Sequence, residues 1–152
     1  GYMGDEQATR NAFTAEGYYR SGDVGQFDEQ GYLRIVGRIK DMILRGGRNI
    51  SPRTAEEQLI RHPAVLEVAV AAMPDPVLGE RACAFVMLNP GASLSFEEMV
   101  AFLTGNGLAV WQLPERLEIV EDMPRSTGGK IAKARLTELV TAKLKAEGKV
   151  PA

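Results

Sequence analysis

The chain has 152 residues, 45% of them hydrophobic, and a formal net charge of −2; this suits one compact domain, or a small domain plus a remnant, and gives no global field that would draw nucleic acid. One cysteine, Cys83, and one histidine, His62, cannot complete a four-ligand zinc site, and a lone cysteine cannot close an internal disulfide. No apolar run reaches membrane-spanning length and no signal-peptide pattern opens the chain, so the expected setting is a reducing cytoplasm.

In chain order, "DEQATRNAF" predicts one or two helical turns capped by Asp5. "YYRSGDVGQFDEQGYLRIVGR" carries apolar and aromatic residues on both sides of "DEQG" and predicts a hairpin. "DMILRGGRNI" predicts a second hairpin turning on Gly46-Gly47. Ser51-Pro52 reads as the cap and first residue of a helix whose apolar face is Ala55, Leu59 and Ile60, stopped by "RHP". Residues 64–73 and 81–88 predict two strong strands joined by the loop "PDPVLGE". Ser95 and Glu98 form a capping-box pattern ahead of Phe96, Met99, Val100 and Leu103 at helical spacing. "RLEIVE" predicts a short strand after Pro114, and "KIAKARLTELVTAKLKAEG" an amphipathic helix with Ile131, Leu136, Leu139, Val140 and Leu144 apolar. The fold expected is α+β, a small mixed sheet flanked by helices and preceded by a β-hairpin remnant.

Chemistry-bearing motifs are few. "TGGKI" lacks the spacing and the Ser/Thr of a phosphate-binding P-loop, and no dinucleotide-binding glycine pattern opens a helix. His62 reads as a helix-terminating residue near a favourable dipole. Arg34, Arg38, Lys40, Arg45, Arg48 and Arg53 cluster, but with few interleaved aromatics they read as a solvated face rather than a nucleic-acid surface. Three short stretches remain. Asp23 in "YRSGD" could accept two hydrogen bonds from vicinal hydroxyls, as in ribose recognition. "GRIKD" places Arg38, Lys40 and Asp41 at a boundary, and "STGGKIAK" puts Lys130 behind two glycines. Each has an ordinary structural explanation alone: a turn aspartate, a charged linker and a capped glycine loop.

Together, "GYYRSGDVGQFDEQGYLRIVGRIKDMILRGGRNISP", "HPAVLEVAVAAMPDPVLGERACAFV" and "LPERLEIVEDMPRSTGGKIAK" strongly resemble the C-terminal part of the adenylate-forming superfamily. That group holds acyl- and aryl-CoA synthetases, the adenylation domains of nonribosomal peptide synthetases, and firefly luciferase. The resemblance implies a piece of a longer enzyme: residues 1–37 as the tail of a large N-terminal domain, residues 38–152 as the whole mobile C-terminal domain. It implies a carboxylic acid, ATP, Mg²⁺ and CoA as substrates and cofactors of the full-length enzyme, none bound tightly by the fragment, and the chain's own N-terminal domain as partner. It implies no nucleic-acid partner and no resident metal.

By resemblance, Asp23 holds the ribose hydroxyls and Arg38 supports the same region. Lys40 takes the hinge position, where relatives have lysine or aspartate. Gly46 and Gly47 line the pantetheine tunnel, Glu56 is the supporting helix glutamate, and Lys130 is the lysine that enters the active site for adenylation on a flexible loop. Thr54, Gln58, Val110 and Gln112 depart from the usual residues of the group. The expected function is activation of a short- or medium-chain, alicyclic or aryl acid to an acyl-adenylate and its transfer to CoA, with the fragment alone inactive. The alternatives are an aryl-acid or amino-acid adenylation domain loading a carrier protein, and a non-catalytic stand-alone binding module.

Overall fold

The computed structural model describes residues 1–150. The chain divides into two compact units, Gly1–Lys40 and a second that begins at Asp41.

In the first unit, Asp5 caps α1 (Glu6–Ala12) by accepting the Ala8 N–H at 2.8 Å, which satisfies one of the orphan donors of a helix start. β1 (Asp23–Phe27) and β2 (Leu33–Arg38) pair antiparallel. Their turn is fixed by the Asp28 carboxylate, which accepts the N–H groups of Gln30 and Tyr32 at 3.0 and 2.8 Å. This is the hairpin that the sequence predicts.

The second unit is built on a five-stranded mixed sheet. β3 (Ile43–Arg45), β4 (Arg48–Ile50), β5 (Val65–Asp75) and β6 (Gly79–Leu88) lie in the order β4-β3-β6-β5, and β7 (Arg116–Ile119) pairs parallel with β6. β5 therefore has an open outer edge. The β3–β4 turn places Gly46 and Gly47 at φ of 53° and 82°, the positive values that a two-residue type I′ turn requires.

β5 and β6 are buried on both faces, so they read as apolar runs rather than alternating strands. Val68, Val70, Ala82, Ala84 and Val86 face one core, with Ile43, Ile50, Ala55, Leu59, Met99 and Leu103. Ala69, Ala71, Met73, Cys83 and Phe85 face the other, with Met123, Leu136, Val140 and Leu144. α2 (Pro52–Leu59) and α3 (Phe96–Gly105) thus cover one face, and α4 (Lys133–Ala146) the other. A β-bulge between Val65 and Glu67 adds one residue to β5. It turns Val65 into the α2–α3 core, while Glu67 keeps step with Ala69 and Ala71 on the α4 side.

The mixed α+β architecture is the one expected, with local differences. β5 runs through Pro74 to Asp75, and β6 starts at Gly79, so most of the expected "PDPVLGE" loop is strand. A proline is tolerated there because β5 is an edge strand and its missing donor breaks no ladder. The capping box at Ser95 and Glu98 is present, whereas Ser51 sits at the start of α2 without a side-chain cap bond. α4 starts at Lys133, so Lys130 and Ile131 precede it. Three expected apolar positions lie exposed: Ile60 beyond the last turn of α2, Phe96 at the first residue of α3, and Leu139 on the shoulder of the Leu136–Val140–Leu144 stripe.

Charged groups tie the far end of α4 to β7. Arg116 donates to Glu118 on β7 and, through two nitrogens at 2.9 and 2.6 Å, to Glu147; Lys143 donates to Glu118. Burial alone would raise the Glu118 carboxyl, but Lys143 and Arg116 outweigh it and hold the group below its ordinary value. Arg116 and then Lys149 hold Glu147 down to about 2.

The two leucines of α4 separate packing from propensity. Leu136→Ala should destabilise the chain by about 2–5 kcal/mol, and Leu139→Ala by less than about 0.5 kcal/mol, in denaturant unfolding. The depressed Glu147 carboxyl predicts a pH dependence of definite sign. Its folded value lies below its unfolded one, so its stabilisation is complete above the ordinary carboxyl range and is lost as pH falls towards about 2. The thermal midpoint of the native chain should therefore exceed that of Glu147→Gln at pH 6, and the gap should close between about pH 4.5 and pH 2.

Candidate functional site

The expected site residues fall into separate local constellations. Asp23 and Arg38 are partners in the β1–β2 register. Arg38 Nε donates to Asp23 Oδ1 at 2.9 Å, and Arg38 Nη2 donates to the Ser21 carbonyl at 3.3 Å. The Asp23 N–H donates to Ser21 Oγ at 3.2 Å. The pair is half-exposed, so the arginine orients the carboxylate without withdrawing it from solvent. Such an arrangement can accept hydrogen bonds from a diol while a cation holds the acceptor in place. Lys40 is exposed in the 3₁₀ turn Ile39–Asp41.

The Gly46-Gly47 turn is braced by long-range contacts. Its Gly46 N–H donates to the Leu78 carbonyl at 2.8 Å. A Cβ on Gly46 would come within 3.2 Å of the Leu78 side chain, whereas one on Gly47 would point into open space. Arg45, beside the turn, makes a two-point pair with Glu115 at 3.1 and 2.8 Å, and that pairing raises its pKa further. Arg81 also reaches Glu115 and pairs with Asp75 at 2.6 Å. Arg48 stacks over the Trp111 ring at 5.7 Å. Much of the basic cluster is thus spent on internal pairs, as a solvated structural face would be.

Glu56 does not meet Lys130. Its Oε1 accepts the Val70 N–H at 2.7 Å and Lys133 Nζ at 2.6 Å. The carboxylate satisfies a donor on the open edge of β5 and reaches over that edge, from α2 on one face to the first residue of α4 on the other.

Lys130 is exposed at the end of a tight loop. Arg125 and Ile131 form a β-bridge at its base. The Ser126 N–H donates to the Lys130 carbonyl at 2.8 Å, Gly129 N–H to the Ser126 carbonyl at 2.9 Å, and Ala132 N–H to the Pro124 carbonyl at 2.7 Å. Gly129 has φ of +75°, a conformation open to glycine at little strain. The loop is a small hairpin closed by its own backbone hydrogen bonds. Arg125 closes it from the side: Nη2 donates to both oxygens of Glu67 at 2.8 and 2.7 Å, and Nη1 to the Gly129 carbonyl at 3.2 Å.

Sequence reasoning missed Arg125, Glu67, Lys133 and Glu115. They act through pairings far apart along the chain, as with Arg125 and Glu67 (58 apart) or Lys133 and Glu56 (77 apart), and spacing gives no sign of these. Two other residues are excluded as reagents. Cys83 is fully buried, and burial pushes its thiol up to about 12, so it is a packing residue. His62 accepts the Ala64 N–H at 3.2 Å and meets the Phe102 ring edge-on at 4.8 Å, which makes it a joint between α2 and α3. Among the described residues no three histidine, cysteine or carboxylate side chains stand together to hold a metal, and no helix is long and apolar enough to cross a membrane.

Comparison with known proteins places these features. A family model, the AMP-binding enzyme C-terminal domain, matches residues 54–130, about half the chain. The chain is 45% identical over 145 residues to the medium-chain fatty-acid–CoA ligase of Escherichia coli K12, covering 95% of this chain and 26% of that protein. It is 40% identical over 144 residues to the 2,3-dihydroxybenzoate–AMP ligase of Bacillus subtilis, with 95% and 26% covered. Among solved structures, ATP-bound MatB from Rhodopseudomonas palustris superposes with a TM-score of 0.82 at 34% identity, covering 93% of this chain and 28% of that one. The chain spans about a quarter of the length of the curated relatives it matches.

Glu56 is the joint on which two helices and a strand edge meet. Glu56→Ala should destabilise the chain by about 1–3 kcal/mol through the stranded Val70 N–H and Lys133 ammonium. Glu56→Gln, which keeps an acceptor, should cost less; denaturant unfolding of the two variants checks the order.

Proposed function

The chain belongs to the AMP-binding enzyme C-terminal domain family, and on that premise we propose that it is the C-terminal part of an ATP-dependent acid–CoA ligase acting in the cytoplasm. The whole enzyme activates a carboxylic acid with ATP to an acyl-adenylate, releasing pyrophosphate, and then transfers the acyl group to CoA with release of AMP. The acid is short- or medium-chain, alicyclic or aryl. Residues 1–37 are the tail of its large N-terminal domain and residues 38–152 its mobile C-terminal domain.

Lys130 carries the reading. It is an exposed ammonium on a closed, braced loop, which is what a domain needs if it is to offer a cation to a partner surface. Joining a carboxylate to the α-phosphate of ATP brings two anions together, and a placed ammonium offsets the charge concentrated in the transition state. The loop keeps its own hydrogen bonds while the domain turns about Lys40, so the lysine arrives and leaves with the domain. Asp23, held by Arg38, binds the ribose hydroxyls. Gly46 and Gly47 line the path of the pantetheine arm, where Gly47 leaves open space, and Glu56 supports the frame behind the Lys130 loop. The described residues offer no ligand set for Mg²⁺; it would enter as the magnesium complex of ATP.

A second reading has a specific observation in its favour. Relatives of comparable similarity include 2,3-dihydroxybenzoate–AMP ligases of Bacillus subtilis and Vibrio cholerae, so the acceptor could be the thiol of a carrier protein in place of CoA. The adenylation half-reaction, and the part of Lys130 in it, are the same in both.

In the full-length enzyme, Lys130→Ala should slow acyl-adenylate formation about 10²- to 10³-fold and leave thioester formation from supplied acyl-adenylate within about threefold, with the isolated chain inactive in both assays. Pyrophosphate release and single-turnover thioester formation read the two steps. Equal losses in both would contradict the role given to Lys130.

A further inference from the structure

We propose that Arg125, gripped by Glu67, is a positioning residue for adenylation that fixes the Lys130 loop in its working geometry; this rests on the role proposed above for Lys130. Arg125 does not reach the reacting atoms by this account. It acts one residue away from Lys130, through the Gly129 carbonyl.

Three observations meet at this guanidinium. First, its planar fork spans two acceptors: Nη2 donates to both oxygens of Glu67 and Nη1 to the Gly129 carbonyl, which constrains direction as well as distance. Second, Glu67 stands on the rigid β5–β6 ribbon immediately after the bulge. That extra residue keeps Glu67 in step with the α4 face while Val65 turns to the other core. Third, the far end of the loop is tied to the same strand: Lys133 bonds Glu56, and Glu56 bonds the Val70 N–H. Both ends of the Lys130 loop are therefore referred to β5, at Glu67 and at Val70.

Burial sets the two ties apart. Glu56 and Lys133 are 20% and 24% exposed, whereas Arg125 and Glu67 are 46% and 26% exposed. The inner tie holds the fold. The outer pair is open enough to add little to global stability, yet it is the one that touches the residue before Lys130. A half-exposed guanidinium with one arm on a strand carboxylate and the other on a glycine turn is suited to hold a loop rather than a domain. Catalysis is sensitive to such holding, since misplacing a reacting group by about 1 Å can cost about 10²-fold.

The test is a set of variants in the full-length ligase, with the two half-reactions measured separately and the thermal midpoint recorded for each. Arg125→Ala and Glu67→Gln should each slow adenylation by about 10- to 100-fold, leave the thioester step within about twofold, and shift the midpoint little. Arg125→Lys keeps the charge but loses the fork, so it should restore only a small part of the rate. In a Lys130→Ala background, Arg125→Ala should add no further loss, because there is no ammonium left to position. Equal slowing of both steps, full rescue by Arg125→Lys, or losses that multiply with those of Lys130→Ala would each overturn the proposal, while a selective Lys130→Ala effect beside a silent Arg125→Ala would overturn it and leave the Lys130 role standing. If Lys130→Ala itself spares adenylation, both fall together.

Discussion

Strand β5 is the constraint on which the second unit depends: an edge strand buried on both faces. Two-sided burial demands a helix layer on each side, and the alternation of Val68 and Val70 with Ala69, Ala71 and Met73 decides which core each residue joins. An open edge leaves backbone donors that must find acceptors elsewhere. Glu56 answers that need at Val70 and in the same stroke links α2 to the start of α4. The position of the Lys130 loop follows from how a sheet edge is closed.

This changes the physical account of the loop. A glycine-rich segment in front of a helix suggests a tether that lets a lysine wander. The structure instead has a hairpin whose backbone groups bond one another and whose base is locked by Arg125 and Glu67. Gly129 serves a positive φ in a tight turn, a conformation that glycine adopts at little strain. Gly46-Gly47 tells the same story: both residues have the positive φ of a hairpin turn, and Arg45, Glu115 and Arg81 hold that turn against β6 and the start of β7. Under the proposed function, two hydrogen-bonded loops on one unit each present a different group, and rotation of the unit selects between them.

Features governed by neighbours in sequence were legible. The Ser95–Glu98 capping box, the Asp5 cap, the glycine turn and the Leu136–Val140–Leu144 stripe all follow from local rules and are all present. The family itself was legible because separated motifs match in order, and the comparisons bear that out. Errors came where tertiary context overrides local preference. Pro74 reads as a strand breaker unless β5 is known to be an edge. Leu139 satisfies helical spacing but lies off the side that the sheet covers. Ser51 has a cap's identity without its bond. The charged ties were invisible for a simpler reason. Glu67 and Arg125 meet only after the sheet and α4 are placed, and a bulge, which composition does not announce, keeps Glu67 on the right side.

The most direct check of the central claim is a crystal structure of the whole enzyme with a bound acyl-adenylate analogue in the adenylation pose. The account predicts Lys130 Nζ within about 3 Å of an α-phosphate or acyl oxygen, with the 126–130 hairpin and the Arg125–Glu67 pair unchanged from those described here. A loop that has unfolded from its base to deliver the lysine, or a phosphate neutralised by another cation while Lys130 faces solvent, would contradict it.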